Sequence, residues 1–311
     1  MIIKYIVLIL AIFNFANVYS LPNNRGKGKQ DSPFDTIRMI NSSTFSEPDS
    51  LELTERIING KPANITQFPF IAQIFYRNAS FINFSFRCTG SLISDLWILT
   101  AAHCLTDVNR NLVSPGDFRV AVGKDELVAN ADANDQYRVS FIGNFGYKEN
   151  ATLDAGLIKL AKPVPSIVAT PAKLYTSPVK KRLRVNIAGF GLTDYAKPTP
   201  SNVLLQTRVY ISQSANCSGF SPGWKSNNGP QICQENYKDL SPCKGDSGGP
   251  MVTKIKGKNV IVGITSSGGN KDKNVDNPCG HNVIDYYARV GYYVNSISKT
   301  TGIPLKNFTA T

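Results

Sequence analysis

Short β-type runs of apolar and polar positions recur along most of this chain, separated by turn residues, with Gly and Pro among them. They occur at Ile71–Tyr76, Phe84–Cys88, Trp97–Thr100, Phe118–Val122 and Tyr137–Ile142. Further runs follow at Gly156–Leu160, Arg184–Ala188, Gln206–Ile211, Met251–Ile255 and Val260–Thr265. Their length, their β-branched and aromatic content and the turn residues between them predict strands. Helical periodicity is scarce and clearest over Tyr292–Ser298, after Gly291, so the pattern predicts an all-β protein with a short C-terminal helix. No stretch repeats at a propeller or solenoid period, which leaves one or two compact barrels.

The ends break the pattern. Lys4 precedes the apolar run Ile6–Phe13, and Val18 and Ser20 precede Leu21. Asn14 cuts that run well short of the ~20 residues a spanning helix needs, so residues 1–20 read as a secretory signal cleaved before Leu21. Residues 21–56 are polar, lack cysteine and any periodic pattern, and read as a flexible pro-segment ahead of a folded domain at 57–311. No second apolar segment exists, so the expectation is a secreted, extracellular monomer with no membrane association after signal cleavage.

Hydrophobic residues make up 42% of the 311 and charged residues 18%, which excludes a wholly disordered or collagen-like chain. The net charge of +12 favours acidic surfaces such as sulfated glycans, anionic lipid or nucleic acid without naming one, and no specific nucleic acid is expected. In an oxidising compartment the six cysteines predict three disulfides, with fifteen pairings open on spacing alone. With no C-x-x-C pair and only His103 and His281, no metal and no cofactor are expected. Seven N-x-S/T sequons, at Asn41, Asn64, Asn78, Asn83, Asn150, Asn216 and Asn307, predict exposed, glycosylated loops.

Three segments carry chemistry together: Leu99-Thr-Ala-Ala-His-Cys104, Leu153-Asp-Ala-Gly-Leu-Ile-Lys-Leu160 and Cys243-Lys-Gly-Asp-Ser-Gly-Gly-Pro250. A serine hydroxyl needs a base, and an imidazole base needs a carboxylate to fix its tautomer, roles that Ser247, His103 and Asp154 can fill. Glycines around Ser247 let the chain turn so that the Gly245 and Ser247 N–H groups can face one oxyanion. His281 has no partner motif and reads as solvated or packed.

In the order His, Asp, Ser these motifs resemble the chymotrypsin/trypsin family of serine proteases over about residues 57–298. The resemblance implies two six-stranded antiparallel barrels, a chymotrypsin-like fold, with His103 and Asp154 from the first and Ser247 from the second meeting in the cleft. It implies the disulfides Cys88–Cys104, Cys217–Cys233 and Cys243–Cys279. It also implies a zymogen: a trypsin-like enzyme cuts after Arg56 in Glu55-Arg56-Ile57-Ile58-Asn59-Gly60, and the new Ile57 ammonium pairs with Asp246. Asn59 stands where the family has its first Gly, a tolerable change because Asn also accepts turn conformations.

For specificity the resemblance points to Ser241 at the pocket base and to Ser266, Ser267 and Gly268 on its wall. A neutral Ser241 favours Phe, Tyr, Leu or Met before the scissile bond. Asp285, where most relatives have Gly, resembles the broadly specific arthropod brachyurins and would admit Lys or Arg as well. Ser267 replaces a common Trp, and the loop from Gly269 to Pro278 is longer than usual. Lys124 stands where calcium-binding relatives have an acid, so calcium is not expected. Protein or peptide substrates, an activating protease and protease inhibitors are the implied partners. The alternative is a catalytically silent homologue serving as a basic extracellular binding module.

Overall fold

The computed structural model describes residues 57, 60–78, 83–128, 133–212, 215–221, 223–236 and 239–310. The expected signal and pro-segment, with Asn41 and Arg56, lie outside the described residues.

Six strands close a first barrel: β2 (Ile71–Tyr76), β3 (Ser85–Leu92), β4 (Trp97–Thr100), β5 (Phe118–Val122), β6 (Tyr137–Asn144) and β7 (Gly156–Leu160). They run β2-β3-β4-β7-β6-β5 with every pairing antiparallel. All four residues of β4 are buried, with Ile98 and Leu99 opposite Ile158 and Leu157 of β7, because this strand has core on both sides.

The remaining strands are β1 (Lys61–Pro62), β8 (Lys173–Leu174), β9 (Arg184–Gly189), β10 (Leu192–Asp194), β11 (Lys197–Pro200), β12 (Leu205–Tyr210), β13 (Gln231–Glu235), β14 (Pro250–Ile255), β15 (Lys258–Asn270) and β16 (Val283–Arg289). Apart from the β10–β11 hairpin they form one sheet, β1-β12-β9-β14-β15-β16-β13, with β8 on β15. Six of these, β12 to β13 along that path, make an open second barrel, which no strand pairing closes among the described residues. Its seam is bridged just past β12, where Ser212 N–H donates to Cys233 O at 3.1 Å. Val185, Ile187, Val209, Ile232, Met251, Val260, Val262 and Tyr287 fill it.

Among the described residues three α-helices complete the fold: α1 (Ala215–Phe220), α2 (Val290–Thr301) and α3 (Leu305–Phe308). Helix α2 starts two residues before the expected helix and ends at Gly302, which caps it in the left-handed conformation (φ +72°). It buries Val290, Tyr293, Val294 and Ile297 in the core that spans the first barrel and the contact with the second. The three disulfides link Cys88–Cys104, Cys217–Cys233 and Cys243–Cys279.

Candidate active site

Each of the three motif segments reaches the site from a different element. His103 sits in a 3-10 turn, Ala102–Leu105, directly after β4, which the Cys88–Cys104 bridge ties to β3. Asp154 ends the loop before β7 and is 2% exposed. Its Oδ1 accepts the His103 backbone N–H at 2.9 Å, and its Oδ2 lies 2.8 Å from His103 Nδ1. A third donor was not foreseen in this role: Ser266 Oγ, expected only as pocket wall, donates to the same Oδ2 at 2.6 Å. Burial by itself would raise the Asp154 carboxyl, but the charge of His103 and the hydrogen bonds from His103 and Ser266 outweigh it and hold it below the usual range. An ionised carboxylate only accepts, so Nδ1 carries the imidazole proton and Nε2 is left with a lone pair.

Ser247 lies on the loop into β14, pressed against the first barrel. Thr89 N–H donates to Ser247 O at 2.9 Å, Thr89 Oγ1 to Gly245 O at 2.9 Å, and Thr100 Oγ1 to Thr89 O at 3.0 Å. Thr89 did not stand out in the sequence, since nothing local marks a residue whose partners are more than 150 positions away. Gly248 makes the approach possible. At φ +78° a Cβ there would fall 2.0 Å from Thr100 Oγ1 and 2.4 Å from Thr89 O. Among the described residues the N–H groups of Gly245 and Ser247 donate to no protein acceptor, the condition for receiving an oxyanion.

Asp246 turns the other way, into the protein. Its carboxylate accepts from Gly191 N–H (2.8 Å) and Cys243 N–H (2.9 Å), in a space that side chains at Gly189 or Gly191 would fill. Burial pushes its pKa up to about 6 in spite of those two donors. Ile57 is fully buried at φ +56°, a costly conformation for a β-branched residue.

A cavity of about 200 Å³ beside Ser247 is lined by Cys243, Ser266, Ser267, Gly268, Cys279 and Asp285, among others. Asp285 belongs to β16, opposite Gly268 of β15, and a Cβ at Gly268 would meet its Oδ1 at 2.4 Å. Its Oδ2 is buried and has no hydrogen-bond partner among the described residues. Burial pushes the carboxyl well above its ordinary range, offset in part by Ser241 and reinforced by the charge of Asp246. Ser241 is buried and donates to Pro242 O at 2.8 Å.

The Trypsin family profile matches residues 57–297. The chain belongs to the trypsin family of serine proteases. Among relatives of this protease, CLIP domain-containing serine protease B4 of Anopheles gambiae is 27% identical over 270 residues, 79% of this chain and 71% of that protein. Chymotrypsin-like elastase family member 1 of Macaca fascicularis is 28% identical over 276 residues, 86% and 96% of the two chains. Mannan-binding lectin serine protease 1 of Homo sapiens is 31% identical over 254 residues, 72% of this chain but only 34% of that protein. This protease therefore spans about a third of that relative's length.

The other expected positions are placed as follows. The described sequon residues Asn64, Asn78, Asn83, Asn150, Asn216 and Asn307 are all exposed. His281 is exposed, with Nδ1 3.0 Å from Asp239 Oδ1. Lys124 pairs with Asp135 at 3.0 Å.

Proposed function

We propose that this protein is a secreted serine endopeptidase zymogen with a signal at residues 1–20, a pro-segment at 21–56 and a protease domain at 57–311. The observation that carries the reading is the pairing of buried Asp154 with His103 Nδ1, beside a cavity that Ser247 and Asp285 both line. In this reading Ser247 Oγ attacks the scissile carbonyl while His103 Nε2 takes its proton. The tetrahedral oxyanion is received by the N–H groups of Gly245 and Ser247. His103 then protonates the departing amine, and water, deprotonated by the same nitrogen, hydrolyses the acyl-enzyme. The relatives are named as proteases, which weighs against a silent binding module.

The cavity supports broad specificity. Large apolar side chains would enter past Gly268, and the unpartnered Asp285 Oδ2 would receive a Lys or Arg head group by a charge-assisted bond. The exposed sequons support glycosylation, and the three disulfides support an extracellular setting.

Cleavage after Arg56 would turn the strained amide at Ile57 into a free ammonium, the missing counter-charge for Asp246. After cleavage by a trypsin-like protease, a phosphonylating reagent is expected to label Ser247 stoichiometrically. Uncut Arg56→Gln protein and cut Ser247→Ala protein are expected to stay unlabelled. Equal labelling of the uncut form would rule out activation at Arg56, and no labelling of the cut form would rule out the peptidase.

Charge sets a second expectation. In the uncut chain the folded pKa of Asp246, about 6, exceeds the unfolded value of 3.8, so its contribution favours folding most at low pH and declines as pH rises from 3.8 through 6. The full penalty is about 3 kcal/mol. An Ile57 ammonium would cancel it. The denaturation midpoint of the cut form should therefore gain on that of Arg56→Gln between pH 4.5 and 7.5; a pH-independent gap would remove Asp246 from the activation step.

A further inference from the structure

Much of the excess positive charge collects at one corner of the second barrel, on strands that alternate strictly between core and solvent. Val185, Ile187 and Val209 point inward, which leaves Arg184, Asn186, Arg208 and Tyr210 outward. Register sets Arg184 opposite Tyr210 and Arg208 opposite Asn186, so the two arginines are diagonal neighbours. On the other side of β9, Asn186 faces Val252 of β14, and Lys254 follows two residues on, on the same face. Thr253 Oγ1 donates to Arg184 O at 3.3 Å, tying the strands at that level.

Lys256 and Gly257 turn the chain (φ +49° and +78°) into β15, where Lys258 stands opposite Ile255. The segment entering β9 adds Lys180, Lys181 and Arg182, and is fixed to the end of β12 by Arg182 N–H to Ile211 O at 3.0 Å. All eight of these lysines and arginines are exposed. Among the described residues none lies in a salt bridge, and the stretches 177–192, 203–212 and 250–271 contain no Asp or Glu.

Four adjacent strands span roughly 15 Å, so the eight cations crowd a small area. Like charges opposed on a sheet face destabilise it, and no carboxylate offsets them. Catalysis does not need them either. The Ser247 loop enters β14 at Pro250, and Lys254 lies roughly 13 Å further along that strand.

We propose that this corner is a binding site for a sulfated polysaccharide. A flexible polyanion can thread sulfates between β12, β9 and the β14–β15 hairpin, where arginines offer paired donors and lysines offer point charges. Exposed Tyr210, opposite Arg184 on the outermost strand of the patch, offers a flat apolar face to a sugar ring. An anionic membrane fits less well, since among the described residues of these segments the exposed large hydrophobics are Tyr210 and, at the far end of its stretch, Val203. Nucleic acid shares the charge but not the oxidising setting that three disulfides indicate. Binding there would tether the protease while leaving the cleft free.

The test uses the full chain, a heparin oligosaccharide, a DNA duplex of equal charge, and phosphatidylserine/phosphatidylcholine vesicles, titrated over a range of salt. Arg208→Gln/Lys254→Gln/Lys256→Gln is compared with Lys225→Gln/Lys299→Gln/Lys306→Gln, which removes the same charge from exposed sites elsewhere, with circular dichroism checking that both fold. The patch variant is expected to lose heparin affinity by roughly tenfold or more, with a flatter dependence of log K on log salt, and the control by less than about threefold. Equal losses would reduce the effect to net charge, and tighter binding of DNA or vesicles than of heparin would name a different occupant; either result overturns the proposal.

Discussion

Asp154→Asn is expected to lower kcat by about 10⁴-fold, the size associated with this exchange in the family's own triad, while the fold survives. The hydrogen bonds dictate the mechanism of the loss. Oδ1 must stay an acceptor for the His103 backbone N–H, so the new amide nitrogen takes the Oδ2 position, facing His103 Nδ1 and Ser266 Oγ. An amide nitrogen donates where the carboxylate accepted. The imidazole proton then moves to Nε2, the atom that must be bare to take the proton of Ser247. Steady-state kinetics on a peptide amide measure it. A fall in kcat with KM and thermal midpoint nearly unchanged supports the tautomer argument. A loss below tenfold would mean Asp154 does not govern His103.

Asp285→Gly should change which peptides are cut. With the carboxylate present, the cut enzyme is expected to turn over Arg and Lys peptides at rates comparable to Phe and Leu peptides. Without it, kcat/KM for Arg and Lys should fall by roughly 10²–10³-fold, the usual cost of leaving one member of a buried charge pair alone, while Phe is held or improved. Because burial holds the Asp285 carboxyl well above the ordinary range, it stays neutral in mild acid and ionises as pH rises. The ratio of Arg to Phe turnover should therefore climb with pH in the wild type and stay flat in the glycine variant. Turnover confined to apolar residues at every pH would mean that Asp285 does not read the substrate.

Local pattern anticipated the strands rich in β-branched and other large apolar residues, among them β4, β7 and β9. It did not register β13 or β16, because their inward positions include polar groups that only the assembled barrel satisfies. Gln234 on β13, for example, accepts the Tyr287 hydroxyl of β16 at 3.0 Å. Helix α1 was also missed: six residues around Cys217, without a clear apolar stripe, leave too short a signal.

The site divides along similar lines. Nucleophile, base and acid candidates stand in compact motifs whose residue types are dictated by chemistry, so the sequence by itself determined them, along with the all-β class and the oxidised cysteines. Tertiary structure decided what depends on groups far apart in the chain. It set Ser266 on a carboxylate 112 residues away, placed Asp285 across from Gly268 on the cavity wall, and gathered into one patch eight cations scattered between residues 180 and 258. Spacing along a strand tells which way a side chain faces, but not which other strand comes to lie beside it. That choice is made by burial and hydrogen bonding summed over the whole barrel.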